Sequence, residues 1–172
     1  MAGTKVLDKY ANLAALYVLQ DVANTVKYTS FNFPFSVMDR IGLIVSRIEY
    51  QPTALQQLDA SADTIEVGVS VANNLADPYD VTDARLVDYQ TMIRRQDAAP
   101  TSSYLERLPI IKDFSTLPGG GLLIAPNPLY AFVHTGGAGA VMGLRVRFWY
   151  TWMVMAAEDY WQLVESRRVV AG

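Results

Sequence analysis

The 172-residue sequence contains no cysteine and only one histidine, His134. Without cysteine the chain forms no disulfides, no thiolate nucleophile and no cysteine-ligated metal site. A single histidine cannot supply the several imidazole ligands of a cupin-type metal site, and no G-x-S-x-G motif supports a hydrolase triad. We therefore expect His134 to be structural, and we predict no catalytic residues, no metal and no cofactor.

Charge is also scarce. Charged residues make up 18% of the chain and hydrophobic residues 51%, with a net charge of −3. The N-terminal region holds only Lys5 and Lys9 and no arginine-rich arm, so direct binding to nucleic acid is not expected. It also lacks an apolar segment of signal-peptide type, and no apolar run predicts a transmembrane helix. So few charges predict that partners cover some of the apolar surface.

Hydrophobic residues recur with a period of two, which is typical of β-strands. In segment 64–71 (TIEVGVSV) one face is apolar and the other, which includes Glu66, is predicted to face solvent. In segment 141–155 (VMGLRVRFWYTWMVM) Arg145, Arg147 and Trp149 alternate with a continuous apolar face. This second strand is long enough that we expect it to bend or to serve two sheets.

Nine strands and one helix are predicted along a single domain, residues 1–172. The helix is Ala156–Arg168, with acidic residues in its first turn and arginines in its last. The spacing predicts an all-β fold, a sandwich or barrel of about eight or nine antiparallel strands with a short C-terminal helix. The strands are Leu13–Gln20, Thr25–Phe33, Val37–Tyr50, Thr64–Val71, Arg85–Arg95, Leu105–Phe114, Leu122–Ile124, Leu129–His134 and Val141–Met155. For Arg85–Arg95 a helix is the alternative, because Leu86, Tyr89 and Ile93 would also suit one helical face, but a strand is favoured.

A charge-free stretch runs from Phe114 to Leu144 and includes glycines 119–121 and 136–137. Phosphate-binding loops open a helix, or carry a lysine after the glycines, and neither feature is present here. The glycines therefore predict turns between strands. We expect little of the stretch to face bulk water, because the core, another subunit or lipid would cover it.

Three acidic residues, Asp77, Asp80 and Asp83, lie at intervals of three residues. The ligands of an EF-hand calcium loop alternate at every second residue and end on a glutamate, which this segment lacks. A polar loop whose aspartates cap turns is the favoured interpretation. A surface cation site is the alternative.

Aromatic and arginine side chains outside a core are typical of interfaces between subunits. Trp149 shares a strand face with two arginines, and Tyr160 and Trp161 cannot both point into one core. Acidic residues lie near the arginines in sequence, so pairing within a sheet or between subunits is expected. The candidate interface residues are Trp149, Arg145, Arg147, Tyr160, Trp161, Arg167 and Arg168.

Two segments carry a resemblance to a known family. They are 33–50 (FPFSVMDRIGLIVSRIEY) and 119–165, which runs from GGGLLIAPNPLYAFVHT to GLRVRFWYTWMVMAAEDYWQLVE. Together they resemble the small major capsid proteins, single jelly rolls, of tailless icosahedral phages that infect Thermus and contain an internal membrane, a sphaerolipovirus-like group.

The resemblance implies a capsid subunit that assembles with a second, larger capsid protein over an internal membrane, with peripheral contact to that membrane. A homodimer is expected as the smallest unit, since twofold closure is the commonest symmetry. The implied location is the virion, after synthesis in the host cytoplasm. The alternatives are a jelly-roll module that binds carbohydrate or a receptor and, third, a hydrolase acting through His134.

Overall fold

The computed structural model describes residues 5–6, 11–53, 63–75, 80–94, 109–126 and 128–166. Within these residues the chain forms ten strands and one α-helix, α1 (Ala157–Ser166). The strands are β1 (Lys5–Val6), β2 (Asn12–Leu19), β3 (Lys27–Ser30), β4 (Ile41–Pro52), β5 (Asp63–Ser70), β6 (Leu86–Arg94), β7 (Ile110–Asp113), β8 (Leu122–Ile124), β9 (Tyr130–Gly136) and β10 (Gly143–Val154).

The strands form two antiparallel sheets. In the six-stranded sheet, β4 and β10 lie side by side at the centre. The outer side of β10 pairs with β2 and β1, and the outer side of β4 pairs with β7 and β8. The four-stranded sheet has the order β3-β9-β5-β6. The all-β class is thus confirmed, and each of the nine predicted strands overlaps an observed one. Residues 105–108 of the predicted strand Leu105–Phe114, and residue 95 of Arg85–Arg95, lie outside the described residues. The two-residue β1 was not predicted.

The core lies between the two sheets. Val146 and Phe148 of β10 face Val67 and Val69 of β5 in one continuous buried cluster. Fully burying an aliphatic or aromatic side chain of this kind contributes about 1.5–3 kcal/mol. The predicted apolar face of the long strand is confirmed from Met142 to Trp152, because these alternate residues belong to the cluster or pack against it.

The long predicted strand, β10, stays within one sheet, and the irregularity in its pairing is a bulge on the neighbouring strand β4. The pairing of β10 with β4 shifts between Trp149 and Tyr150, so Ser46 of β4 is an extra residue. Ser46 Oγ donates a hydrogen bond to the main-chain oxygen of Trp149 at 3.1 Å. The bulge reverses the alternation of β4, which allows both Val45 and Ile48 to point into the core.

Some predicted strand bounds are wrong. β3 ends at Ser30 rather than at Phe33, and β10 begins at Gly143 rather than at Val141. Val37–Asp39 forms a 3-10 turn, in which the Ser36 amide donates to Asp39 Oδ2 at 2.7 Å, and β4 begins only at Ile41. Likewise β3 begins at Lys27 rather than at Thr25. The preceding residue Asn24 has a positive φ of 60°, which an extended strand does not allow.

The predicted solvent-exposed face of β5 is also wrong. Glu66, Gly68 and Ser70 are all buried, as are the core-facing residues between them. The neighbouring strand β9 explains this, because the Phe132 ring lies over Gly68 and the His134 ring lies against Glu66. Side chains of an adjacent strand therefore cover a face that one-strand periodicity assigns to water.

Helix α1 packs on the outer face of the six-stranded sheet. Tyr160 is buried in a small cluster with Ala125 and Met155, and Leu163 and Val164 pack against it. Met153, which has the same orientation on β10 as Arg147 and Trp149, also contacts this cluster. The predicted docking stripe is confirmed at Tyr160, Leu163 and Val164, while Arg167 lies outside the described residues.

Candidate subunit interface on the six-stranded sheet

Strand register brings three of the predicted interface residues together. Arg145, Arg147 and Trp149 alternate on β10 with residues of the core and so point to the outer face of the sheet. Their partners on the flanking strands share this face. We call this surface the arginine face, and its members are Leu13, Tyr17, Leu19, Arg47, Glu49, Ile111, Asp113, Arg145, Arg147 and Trp149.

Glu49 is the acidic centre of the arginine face. Arg147 Nη1 lies 3.7 Å from Glu49 Oε1, and Arg47 Nη2 lies 3.8 Å from Glu49 Oε2. Both arginines are partly exposed, so each pair contributes at most about 1 kcal/mol. No ion pair involves Arg145 within the described part of the chain. The face thus presents at least one guanidinium that is free to bind an external acidic group.

Trp149 is held beneath an arginine. The guanidinium of Arg47 lies 4.8 Å from the centre of the Trp149 ring, a cation–π contact worth about 0.5–1 kcal/mol at an exposed site. The indole face that a sugar would stack on is therefore already occupied. This geometry favours a protein contact over a carbohydrate platform at Trp149.

Large apolar side chains border the arginines. Leu13, Tyr17 and Leu19 of the edge strand β2 are 58%, 50% and 45% exposed, and Ile111 of β7 is 50% exposed. Single exposed apolar residues are ordinary, but a group of them on one sheet face marks an interaction site. Both alternating sets of residues in β2 are apolar in the sequence, a signal that could have predicted an exposed apolar face, but these residues were not among the predicted interface residues.

The remaining predicted interface residues lie on or beyond α1. Trp161 is 45% exposed, and its ring meets that of Tyr160 at 5.9 Å in an edge-to-face contact. Tyr160 itself is buried within the chain, and burial raises the pKa of its hydroxyl. Trp161 is therefore the residue of the pair that is available to a partner. Arg167 and Arg168 lie outside the described residues.

The only histidine lies in a cross-strand pair. His134 Nδ1 is 2.5 Å from Glu66 Oε2, and both side chains are largely buried on the outer side of the four-stranded sheet. The two residues face each other in the register of β9 and β5. This partnership provides a structural role for His134.

The polar loop forms turns, as predicted for the described residues. Asp80 Oδ1 accepts a hydrogen bond from the Thr82 amide at 2.8 Å, and Asp83 Oδ1 accepts one from the Arg85 amide at 2.9 Å. Arg85 Nη2 also binds Asp83 Oδ2 at 2.7 Å. Asp77 lies outside the described residues, and no group of three metal-ligating side chains occurs within them.

The charge-free stretch divides into exposed and covered parts. Its glycines form turns, as predicted, with positive φ at Gly119, Gly120 and Gly137. Residues 115–120 are exposed, so the prediction that little of the stretch faces water is wrong there. These residues form the turns that connect β7 to β8. Most of 121–135 is buried or half-buried within the chain itself. No helix in the described residues is both long and apolar enough to span a membrane.

No protein-family model matches the sequence, and no curated protein matches it. Among solved structures, VP1 of trichodysplasia spinulosa-associated polyomavirus is similar, with a TM-score of 0.52 and 9% identity over 88% of this chain and 100% of that one. An unassembled pentamer of a Washington University polyomavirus VP1 mutant has a TM-score of 0.42 and 12% identity, over 90% of this chain and 99% of that one. The first likeness shows the fold, a jelly-roll β-sandwich with one short C-terminal helix.

Proposed function

We propose that this protein is a structural, non-enzymatic subunit of an icosahedral virion. In this proposal it associates with copies of itself and with a second, larger capsid protein, above an internal membrane that it contacts peripherally. The observation that carries the proposal is the arginine face, an exposed sheet surface that combines large apolar side chains with arginines. Such a surface is typical of protein–protein interfaces.

Three further observations support the proposal. The fold is shared with a viral VP1 protein, although that likeness concerns the fold alone. Segments 33–50 and 119–165 resemble small capsid proteins of membrane-containing Thermus phages. The sequence is also low in charged residues, at 18%, and rich in hydrophobic ones, at 51%, as expected if other subunits cover much of the surface. The proposed location is the virion, after synthesis in the host cytoplasm, with residues 1–172 forming one domain.

Co-expression tests the proposal. The chain is produced together with any β-rich protein encoded beside it, with and without lipid vesicles, and the products are separated by sedimentation and imaged by electron microscopy. We expect a stoichiometric complex or shell-like particles, and fewer of them when Arg145 and Arg147 are replaced by glutamate. Met38→Gln is the matched control, since this exposed residue lies on a turn away from the arginine face.

Glycan binding by an unassembled chain is the outcome that would contradict the proposal. If the chain sediments alone under every condition but shows saturable binding on a glycan array, the capsid proposal fails in favour of a carbohydrate-binding module. Loss of that binding in Trp149→Ala would identify Trp149 as the sugar platform. Because Arg47 already lies over the Trp149 ring, we expect Trp149→Ala to cause no such loss.

A further inference from the structure

The outer face of the six-stranded sheet carries two different surfaces side by side. One is the arginine face, on the N-terminal half of β10 and its neighbours. The other is helix α1, which covers the C-terminal half of the same strand through Met153. Met153 lies six positions after Arg147 on β10, so the two surfaces are centred roughly 20 Å apart along one strand. Their common support fixes their relative position.

The two surfaces differ in height. Within the part of the chain that the structure describes, no helix or strand lies on the arginine face, whereas α1 rises above the same sheet by about one helix diameter, about 10 Å. The molecule therefore presents a step, with a raised half and a low half. A twofold axis that is perpendicular to the strands and parallel to the sheet would place a second copy face to face with the first. In that arrangement α1 of each copy lies above the arginine face of the other.

The two surfaces are also complementary in charge. On the arginine face, Arg47, Arg145 and Arg147 outnumber the acidic Glu49 and Asp113. Helix α1 exposes only acids among its described charged residues, and these are Glu158, Asp159 and Glu165. Opposite charge across an interface steers association and fixes the register of the partners.

Each surface also offers apolar contact area. Trp161 projects from the exposed side of α1, and Leu13, Tyr17 and Ile111 flank the arginines. An exposed tryptophan that meets a surface of leucine, tyrosine and arginine is a typical centre of binding energy. The same two patches thus match in shape, in charge and in apolar content.

We propose that the chain forms a twofold dimer in which α1 of each copy packs on the arginine face of the other. The inference deepens the proposed function, on which it rests, by naming the surfaces through which copies associate. Each contact occurs twice, as a twofold interface requires. The axis passes beside the Ser46 bulge, midway between the two surfaces, where Trp149 approaches the same residue of the second copy.

Complementary charge reversals test this arrangement. The first variant carries Arg145→Glu and Arg147→Glu, and the second carries Glu158→Lys and Asp159→Lys. Each variant places like charges at both contacts, so we expect self-association at least about tenfold weaker than in the unmodified chain, measured by sedimentation equilibrium. The matched control, Asp21→Lys with Lys27→Glu, reverses an exposed pair away from this face and leaves association unchanged.

Mixing the two variants gives the decisive result. In a mixed dimer one contact joins new glutamates to new lysines, and the other joins the original residues, so association returns. A single chain that carries all four substitutions is also expected to dimerise. Thermal unfolding checks that each variant is folded, and Arg145→Glu alone carries the test if Arg147→Glu destabilises the chain beside Glu49.

Three results would overturn the inference: a monomer at all concentrations to several hundred micromolar, a dimer that neither variant weakens, or folded variants that do not associate when mixed. Association through this face only with lipid vesicles or with a different protein would overturn it as well. The capsid proposal is judged separately, because a chain that is monomeric alone but enters particles on co-expression leaves that proposal intact.

Discussion

Phe132 of β9 lies directly over Gly68 of β5, the residue opposite it in the four-stranded sheet. A Cβ atom at Gly68 would come 2.5 Å from Phe132 Cζ and 2.6 Å from the main-chain oxygen of Asp88. The second contact involves backbone, so a side chain could not be accommodated by rotating the phenyl ring alone. Gly68 is therefore required for the close approach of three neighbouring strands.

We predict that Gly68→Ala lowers the free energy of unfolding by about 1–3 kcal/mol, the usual cost of overpacking a core. Urea unfolding measures the change. Gly139→Ala is the control, because a Cβ there has no neighbour within 4 Å, and it should be close to neutral. Adding Phe132→Leu to Gly68→Ala should restore only part of the stability, since the backbone contact remains. Full tolerance of Gly68→Ala would contradict this packing.

The Glu66–His134 pair provides a second test. Replacing His134 by alanine leaves a largely buried carboxylate without its partner at 2.5 Å. Leaving a buried polar group unsatisfied costs about 1–3 kcal/mol, or more when it is charged. We expect His134→Ala to destabilise the protein by at least that amount, and His134→Ala with Glu66→Leu to recover much of the loss.

A double-mutant cycle by urea unfolding, with Glu66→Leu as the second single variant, measures the coupling between the two side chains. A coupling energy near zero would show that the two residues do not act as a pair. If His134 had a catalytic rather than a structural role, its replacement would leave stability unchanged.

The sequence was sufficient to predict the fold wherever the alternation within a single strand determines which residues are buried. On β10, core residues alternate with Arg145 and Arg147, and a helix would have mixed the two sets. Turns were similarly predictable, because Gly119 and Gly120 adopt positive φ angles that favour glycine. These features depend on local chemistry, which a single sequence displays.

The errors arose where a distant segment determines the environment. Glu66 is buried because His134 and Phe132 belong to the adjacent strand β9, which periodicity within β5 cannot reveal. The position of Ser46 as a bulge depends on its hydrogen bond to Trp149, about a hundred residues away. In the candidate interface, Arg47 and Leu13 were missed because only strand register places them beside Trp149.

A buried polar network joins the loop after β2 to the loop before β10. Gln20 Oε1 accepts a hydrogen bond from the Met142 amide at 2.8 Å, and Gln20 Nε2 donates to the Thr25 carbonyl at 2.6 Å. Gln20 Nε2 also contacts Thr135 Oγ1 at 3.2 Å, and Thr135 Oγ1 accepts a hydrogen bond from the main-chain N–H of Asn24. One side chain thus satisfies groups from three segments.

We predict that Gln20→Leu destabilises the protein by about 1–3 kcal/mol, because the buried Met142 amide loses its hydrogen-bond acceptor and is left unsatisfied. Hydrogen exchange at the Met142 amide should accelerate together with the fall in stability. Thr25→Val is the control, since it removes only a local bond to Val22. Unchanged exchange at Met142 would contradict the network.

Asp88 provides a pH test of the core. Tyr50 of β4 donates a hydrogen bond to Asp88 Oδ2 of β6 at 2.7 Å, which links the two sheets. Burial raises the pKa of the Asp88 carboxyl, although the bond from Tyr50 and the charge of Lys112 act in the opposite direction. The folded protein therefore holds this proton more tightly than the unfolded chain does.

The contribution of Asp88 to stability is consequently largest below the unfolded carboxyl pKa of about 3.9, and it falls as pH rises through the higher folded value. We predict that Asp88→Asn removes this fall, so the variant gains stability relative to the unmodified chain between pH 3 and pH 7 in urea unfolding. Asp80→Asn is a control of opposite sign, because hydrogen bonds from Thr82 lower the pKa of Asp80. The free energy of unfolding of the unmodified chain, relative to that of Asp80→Asn, should therefore increase as pH rises. Parallel pH profiles for the unmodified chain and Asp88→Asn would exclude a raised pKa at Asp88.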